Sequence, residues 1–163
     1  MNKNLSICSW NVRGLGHVSR RDDVLAELIS VRPTIAALQE TKLPSLAVQR
    51  PTSFLPSRLR HCVACDSTGA SGGILTAWDD DTCCLLASSA EQFTLTTRFL
   101  LTQDTTEFTF TNVYAPANHE DKQSFFSELA AVATSVNGPW VVMGDFNLCL
   151  LYTSDAADDL TRV

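Results

Sequence analysis

The sequence lacks the long apolar runs and the leader segment that direct a chain into a membrane or out of the cell. No apolar run reaches the roughly 18 residues that a membrane-spanning helix needs, although 45% of the 163 residues are hydrophobic. The first residues contain neither a long apolar segment nor a small-residue cleavage site, so we expect no secretory signal. These absences predict an intracellular protein of the nucleus or the cytoplasm, with no membrane partner.

The sequence also has little that could bind zinc. Without export, its six cysteines should mostly be reduced thiols. Cys62 and Cys65 form one CxxC motif, whereas a structural zinc site requires a second pair of ligands with suitable geometry. Cys83 and Cys84 are adjacent, so in a strand they point to opposite faces and make poor joint ligands. We therefore expect small buried side chains at these positions, and no zinc.

Excess positive charge is absent as well, because the formal net charge is −6. An acidic chain is not built to wrap nucleic acid through bulk electrostatics, which usually needs a basic surface. A bound divalent metal ion can, however, offset negative charge locally at a site. The composition therefore leaves open a site that binds phosphate through a metal.

Hydrophobic periodicity predicts that the chain opens with a strand, a helix and a second strand. The strands are expected at residues 5–10 and 35–39. Apolar residues recur at helical spacing between them, and Pro33 marks the end of that helix. A strand–helix–strand unit of this kind favours parallel pairing of its two strands. Residues 43–60 contain several prolines and serines and are typical of a surface connection.

The middle of the chain predicts consecutive strands, at residues 61–66, 72–79, 82–88, 92–101 and 107–114. Their connections are short, so neighbouring strands should form antiparallel hairpins. A second helix is expected before residues 137–139. The apolar run 140–143 that follows has the length of a strand buried on both faces, which Gly144 should end. The predicted class is mixed α and β, with helices packed on largely antiparallel sheets.

Side chains with oxygen or amide groups stand at the ends of four predicted strands. They are Asn11, Glu40, Asn112 with Tyr114, and Asp145 with Asn147. If these strand ends converge, the site contains hard oxygen ligands without histidine or cysteine, which is the chemistry of Mg²⁺ or Mn²⁺. Each group alone has a simpler explanation: Asn11 as a turn former, Glu40 as a helix-start charge, Tyr114 as a core residue. The coincidence of all four favours a site.

Four short motifs, taken in order, resemble the endonuclease/exonuclease/phosphatase superfamily. They are WNVRG at residues 10–14, QETK at 39–42, NVYAP at 112–116 and GDFN at 144–147. Together with the segment SGGILTAWD, the amino-acid sequences of these motifs are most similar to the endonuclease domain of plant LINE-type retrotransposon polyproteins. The resemblance covers roughly residues 5–148. It implies the fold of deoxyribonuclease I, a four-layer α/β sandwich with two packed sheets.

The resemblance also implies a reaction, the hydrolysis of a DNA phosphodiester that nicks one strand to prime reverse transcription. Glu40 matches the principal metal-binding glutamate, with Asn11 beside it, and the expected cofactor is Mg²⁺ or Mn²⁺. Asp145 matches the aspartate that orients and activates the attacking water, and Asn147 hydrogen-bonds nearby. DNA is the expected partner.

The remaining implied roles concern the phosphate. Tyr114 matches a catalytic residue that contacts the scissile phosphate, and Asn112 and Arg13 are further expected contacts to phosphate or DNA. A phosphatase of the same superfamily, of the inositol phosphate type, remains an alternative, as does a fold relic without catalysis.

The sequence departs from the family pattern after GDFN. The pattern continues with another half-sheet, an Arg-Ile-Asp-like motif and a final Ser-Asp-His, none of which is present here. The three histidines, His17, His61 and His119, all lie outside the matching motifs. We therefore expect an incomplete domain at residues 1–149, followed at 150–163 by a disordered or artefactual tail. The chain as given should have little or no activity.

Overall fold

The computed structural model of the chain describes residues 5–43, 51–66 and 72–148. The predicted tail at 150–163 lies outside the described residues, as do residues 44–50 of the predicted surface connection.

The chain opens with the predicted strand–helix–strand unit. Strand β1 (Ile7–Asn11) leads into helix α1 (Val18–Val31), which returns the chain to strand β2 (Ile35–Gln39). β1 and β2 pair in parallel, which confirms the prediction. The helix buries only Val24 and Leu28, so a narrow apolar stripe attaches it to the sheet.

The first sheet is completed by strands β3 (His61–Cys65) and β4 (Ile74–Trp78). Its strand order is β1-β2-β4-β3, and β4 is antiparallel to both of its neighbours. Two short 3-10 turns, at Pro51–Ser53 and Ser57–Leu59, precede β3. The predicted hairpin between β3 and β4 is confirmed.

The second sheet contains the remaining strands in chain order, β5-β6-β7-β8. They are β5 (Cys83–Ala90), β6 (Thr94–Leu101), β7 (Glu107–Tyr114) and β8 (Trp140–Asp145). The first three pair antiparallel, as predicted. β8 pairs with β7 in parallel, because helix α2 (Lys122–Ser135) carries the chain back between them. Each sheet thus has one strand–helix–strand unit with a parallel pair.

The two sheets stack face to face, and a helix covers the outer face of each. Along β2, Ala36 and Leu38 pack on the side of α1, whereas Ile35 and Ala37 face the second sheet. A third apolar cluster, which includes Phe125 of α2, lies on the outer face of the second sheet. The layers therefore run helix, sheet, sheet, helix, and the predicted mixed α/β class is confirmed. In the described part of the chain, neither helix is long and apolar enough to cross a membrane.

The turn after β4 corrects one prediction. Residues 79–81 were expected to join two strands of a hairpin, but β4 and β5 lie in different sheets. The amides of Thr82 and Cys83 both donate to the carbonyl oxygen of Asp79, so the turn is as tight as in a hairpin. Trp78 and Cys83 both pack in the cluster between the sheets. This shared burial directs the chain across the sandwich.

Strand β8 corrects a second prediction. All six of its residues are half-buried, and among the described residues β8 is the outermost strand of its sheet. Gly144 does not end the strand, which continues to Asp145. Gly144 has a φ of +150°, and a Cβ atom built there would lie 2.0 Å from the carbonyl oxygen of Val113. The absent side chain therefore allows β8 to approach β7 closely.

We predict that Gly144→Ala destabilises the protein by about 3 kcal/mol or more, because the clash is with rigid backbone. The measurement is the midpoint of urea unfolding. Gly16→Ala is the matched control, since nothing lies within 4 Å of a Cβ atom at Gly16. Equal midpoints for the two variants would contradict the proposed close approach of the strands.

Candidate active site

The ends of two parallel strand pairs meet at one edge of the sandwich. In the first sheet, Asn11 pairs with Gln39, and Glu40 follows directly. In the second sheet, Tyr114 pairs with Asp145. Parallel pairing places the carboxyl ends of neighbouring strands at the same edge. The two stacked sheets therefore present four polar side chains at one place.

The side-chain amide of Asn11 connects the two sheets. Its Nδ2 atom donates to Oδ2 of Asp145 at 2.7 Å, and the side chain also hydrogen-bonds to the carboxylate of Glu40. Its Oδ1 atom accepts the backbone N–H of Arg13 at 3.0 Å. In this arrangement, Asn11 acts as a donor that bridges two carboxylates, and its oxygen is engaged by backbone.

Glu40 is held in its ionised form by its neighbours. Burial on its own raises the pKa of this carboxyl, but hydrogen bonds from Lys42, Asn11 and Tyr114 and the charge of Lys42 outweigh burial and lower the pKa. The Nζ atom of Lys42 lies 2.8 Å from Oε1 of Glu40. The site thus keeps a negative oxygen ligand beside an ammonium group.

Tyr114 is held in its protonated form. Burial, the charges of Glu40 and Asp145, and the hydrogen bond to Glu40 all raise the pKa of its phenol. A protonated phenol can donate a hydrogen bond to an anion. At neutral pH, Tyr114 is therefore a donor positioned between two carboxylates.

A tight turn after β8 orients Asp145. Its Oδ1 atom accepts the backbone N–H of Asn147 at 2.9 Å. The Nδ2 atom of Asn147 donates to the carbonyl oxygen of Ala115 at 2.7 Å, which fastens the turn to the end of β7. Lys122, the first residue of α2, donates to the carbonyl oxygens of Phe146 (3.1 Å) and Asn147 (2.8 Å). Both carboxylate oxygens of Asp145 and the turn that carries them are therefore fixed.

Strained backbone is concentrated around these groups. Six non-glycine residues in the described part of the chain have positive φ angles, and four of them belong to the loops of this edge. These four are Arg13, Glu40, Lys42 and Asn147. Non-glycine residues in the left-handed region cost free energy and persist only where surrounding contacts enforce them. Such clustering is typical of functional sites.

Two predicted contacts have different environments. The side chain of Arg13 is exposed at the rim of the site. Asn112, by contrast, is fully buried between the sheets and accepts a hydrogen bond from Nε2 of Gln39 at 2.7 Å. The contact of Asn112 with phosphate stays a prediction, and its side chain is occupied between the sheets.

Sequence reasoning gave no role to three residues of this region: Lys42, Gln39 and Lys122. Lys42 and Gln39 lie within the QETK motif, and their adjacency to Glu40 was the available signal. Lys122 lies 25 residues before Asn147 in sequence and has no local signature that links it to the GDFN turn.

A group of acids outside this site has the geometry to hold a metal ion, namely Asp79, Asp80 and Asp81. It lies at the opposite end of β4 from the site. Asp79 pairs with Arg58 at 3.1 Å, and Asp80 pairs with His61 at 3.0 Å. Arginine side chains therefore already pair with two acids of this turn, Arg58 with Asp79 and Arg60 with Asp80.

The family model described as "Endonuclease/Exonuclease/phosphatase family" matches residues 8–156 of the chain. The chain belongs to this family. The match to the endonuclease/exonuclease/phosphatase family extends beyond residue 149, where we predicted that the domain ends. No curated protein matches the chain significantly in sequence.

Solved structures share the fold at low sequence identity. The human Nocturnin catalytic domain with bound sulfate has a TM-score of 0.67 and 14% identity, over 88% of this chain and 65% of that one. ANGEL2, described as a 2',3'-cyclic phosphatase in complex with adenosine-2',3'-vanadate, has a TM-score of 0.72 and 17% identity. The match covers 90% of this chain and 54% of that one. D. rerio TDP2 with a single-strand DNA product has a TM-score of 0.66 and 18% identity, and the match covers 96% of this chain and 66% of that one. The chain thus spans less than two thirds of each of these three structures.

The lowered pKa of Glu40 predicts a pH dependence of stability. A carboxyl whose pKa is lower in the folded state stabilises the fold above its unfolded pKa of about 4.3, and this contribution is lost as the pH falls through the folded value. Urea unfolding from pH ~6 to pH ~3 should therefore show wild type losing stability relative to Glu40→Gln.

The control for this experiment is Glu107→Gln, which removes one negative charge at the opposite, exposed end of β7. A constant difference between wild type and Glu40→Gln across this pH range would contradict the ionised, hydrogen-bonded state of Glu40.

The two hydrogen bonds of Lys122 predict a role in ordering the GDFN turn. Lys122→Met retains the apolar stem and removes both bonds, which should cost about 1.5 kcal/mol of stability. Hydrogen exchange of the Asn147 amide should become faster, because the turn opens more often. NMR exchange and urea unfolding measure the two effects. Gln123→Met, at the adjacent exposed helix position, should change neither.

Proposed function

We propose that this chain carries a metal-dependent phosphodiesterase site, the catalytic edge of a DNA endonuclease that nicks target DNA for retrotransposition. The observation that carries the proposal is the 2.7 Å hydrogen bond from Asn11 of one sheet to Asp145 of the other, at the strand ends where Glu40 follows. Two carboxylates from separate sheets thereby meet beside a phenol donor. DNA is the proposed substrate because the four motifs resemble those of LINE-type endonucleases.

The residues fit a hard divalent cation. Glu40 offers a carboxylate that is held ionised, and the donors nearby are oxygen atoms of acids and amides. Such ligands suit Mg²⁺ or Mn²⁺. Glu40 would hold the ion, with Asn11 beside it. A bound ion would polarise a phosphate oxygen and stabilise the charge that develops there.

The remaining steps belong to the chain's own side chains. Asp145, fixed by Asn11 and by the Asn147 amide, can accept a hydrogen bond from a water molecule and orient it for in-line attack on phosphorus. The protonated phenol of Tyr114 can donate to a phosphate oxygen. Arg13 and Lys42, at the rim, add positive charge that attracts the phosphate backbone.

Binding of Mn²⁺ tests the metal site without requiring turnover. Calorimetric titration should give binding to wild type and a loss of about 10-fold or more in affinity for Glu40→Gln. Glu107→Gln, far from the site on the same strand as Tyr114, should bind like wild type. Equal binding by wild type and Glu40→Gln would overturn the metal site and favour the non-catalytic relic.

The substrate is tested with protein in excess over supercoiled plasmid and with Mg²⁺. Because the chain as given should have little activity, we expect only slow single-strand nicks, which chelation should abolish. Asp145→Asn should reduce them by about 10²-fold or more, since an amide is a weaker acceptor for the water than a carboxylate; the order of magnitude is that of removing one transition-state contact. Phosphate release from inositol phosphates, without nicking, would replace the endonuclease with the phosphatase alternative.

A further inference from the structure

A pair of amide side chains crosses the space between the sheets directly beneath the site. Gln39 and Asn112 are 1% and 0% exposed. Nε2 of Gln39 donates to Oδ1 of Asn112 at 2.7 Å, and Oγ of Ser9 (3.1 Å) and the carbonyl oxygen of Ala37 (3.0 Å) share its two hydrogens with that acceptor. This amide therefore links β1 and β2 of the first sheet to β7 of the second.

The other half of the pair enters the hydrogen bonding of the first sheet. Nδ2 of Asn112 donates to the carbonyl oxygen of Leu75 at 2.9 Å, with Oγ1 of Thr76 at 3.3 Å. A side chain of the second sheet is thus bonded to β4 as well as to β2. Its amide oxygen and nitrogen are both satisfied, so Asn112 does not carry the cost of an unpaired polar group.

Stability alone does not explain polar groups at this place. The neighbouring inter-sheet cluster is apolar and contains Trp78, Phe99, Phe108 and Phe110. Replacing both members of a buried polar pair by apolar residues of similar shape is often nearly neutral for stability. Apolar contacts, however, are non-directional, whereas short hydrogen bonds fix one alignment of the two surfaces. The pair specifies the register between the sheets.

That register determines how the two halves of the site meet. Gln39 immediately precedes Glu40 and pairs with Asn11 across β1 and β2. Asn112 stands two residues before Tyr114 on β7, so their side chains leave the strand on the same face. A shift of one sheet past the other at the buried pair would therefore separate Glu40 from Tyr114.

We propose that Gln39 and Asn112 are positioning residues, whose hydrogen bond between the sheets holds the Asn11–Glu40 end against the Tyr114–Asp145 end in working geometry. The hydrogen bonds at the surface are exposed to competition from water and substrate, whereas the buried bond is not. The chemistry assigned to the site rests on the proposed function, but the positioning of the two ends does not.

Leucine substitutions separate positioning from simple stabilisation. Gln39→Leu and Asn112→Leu each leave a buried partner unpaired, so both should lose stability. The double variant replaces the pair with apolar groups and should regain much of that stability. Mn²⁺ affinity should fall about 10–100-fold in all three variants, the loss typical of removing support around a metal ligand. A merely structural pair predicts that affinity returns with stability in the double variant.

Thr97→Val is the matched control. Thr97 is fully buried and donates to the carbonyl oxygen of Phe110 at 3.2 Å, a bond within the second sheet. Its loss removes a buried hydrogen bond without affecting contact between the sheets. Stability should fall and Mn²⁺ affinity should remain that of wild type.

A second measurement needs no metal. The Nδ2 hydrogens of Asn11, bonded to Asp145 across the sheets, can be followed by NMR hydrogen exchange, with Asn11→Ala identifying the signal. Exchange should be at least ~10-fold faster in Asn112→Leu and in the double leucine variant, and unchanged in Thr97→Val. If the leucine variants do not fold, the exchanged pair Gln39→Asn with Asn112→Gln keeps two amides between the sheets and should retain slow exchange, whereas Gln39→Asn alone should not.

Unchanged Asn11 exchange in folded Asn112→Leu would overturn the positioning role, as would slow exchange in Gln39→Asn alone. Absence of Mn²⁺ binding to wild type would instead overturn the proposed metal site, and the exchange measurement would still decide the role of the pair.

Discussion

One amide group holds two carboxylates of different sheets together, and the candidate site depends on this contact. Glu40 and Asp145 would repel each other if they were brought together without donors. Asn11 contributes hydrogen bonds to both, and Tyr114 and Lys42 contribute further ones to Glu40. Hydrogen bonds to ionised groups are among the stronger ones in proteins. The ends of the two sheets can therefore close against each other while Glu40 stays ionised.

The surrounding loops accept backbone strain to maintain this arrangement. Glu40, Lys42 and Asn147 all have positive φ angles, although none is glycine. Main-chain hydrogen bonds compensate: the amides of Thr41 and Lys42 donate to the carbonyl oxygens of Gly73 and Gly72. The loop after β2 is thus bonded to the start of β4. Strain of this kind is retained where geometry matters more than local preference.

The sequence allowed the strand ends to be predicted more reliably than their partners. The opening parallel pair follows from local information, because a helix between two strands favours a crossover. The step from β4 to β5 does not, since a tight turn is compatible with a hairpin and with a change of sheet. Burial of Trp78 beside Phe99, with ring centroids 5.3 Å apart, is a long-range contact. The apolar run of β8 likewise could not reveal that β8 is the outermost of the described strands of its sheet.

The distribution of charge reconciles an acidic chain with the proposed phosphate substrate. The net charge is −6, but the acidic turn at residues 79–81 lies at the opposite end of β4 from the site. Arg13 and Lys42 are exposed at the rim beside Glu40. Charges farther apart than about 8–10 Å are largely screened at physiological ionic strength. A phosphate at the site therefore interacts mainly with the local groups, which are the carboxylates of Glu40 and Asp145 as well as the cations at the rim. The net charge of the whole chain says little about the substrate.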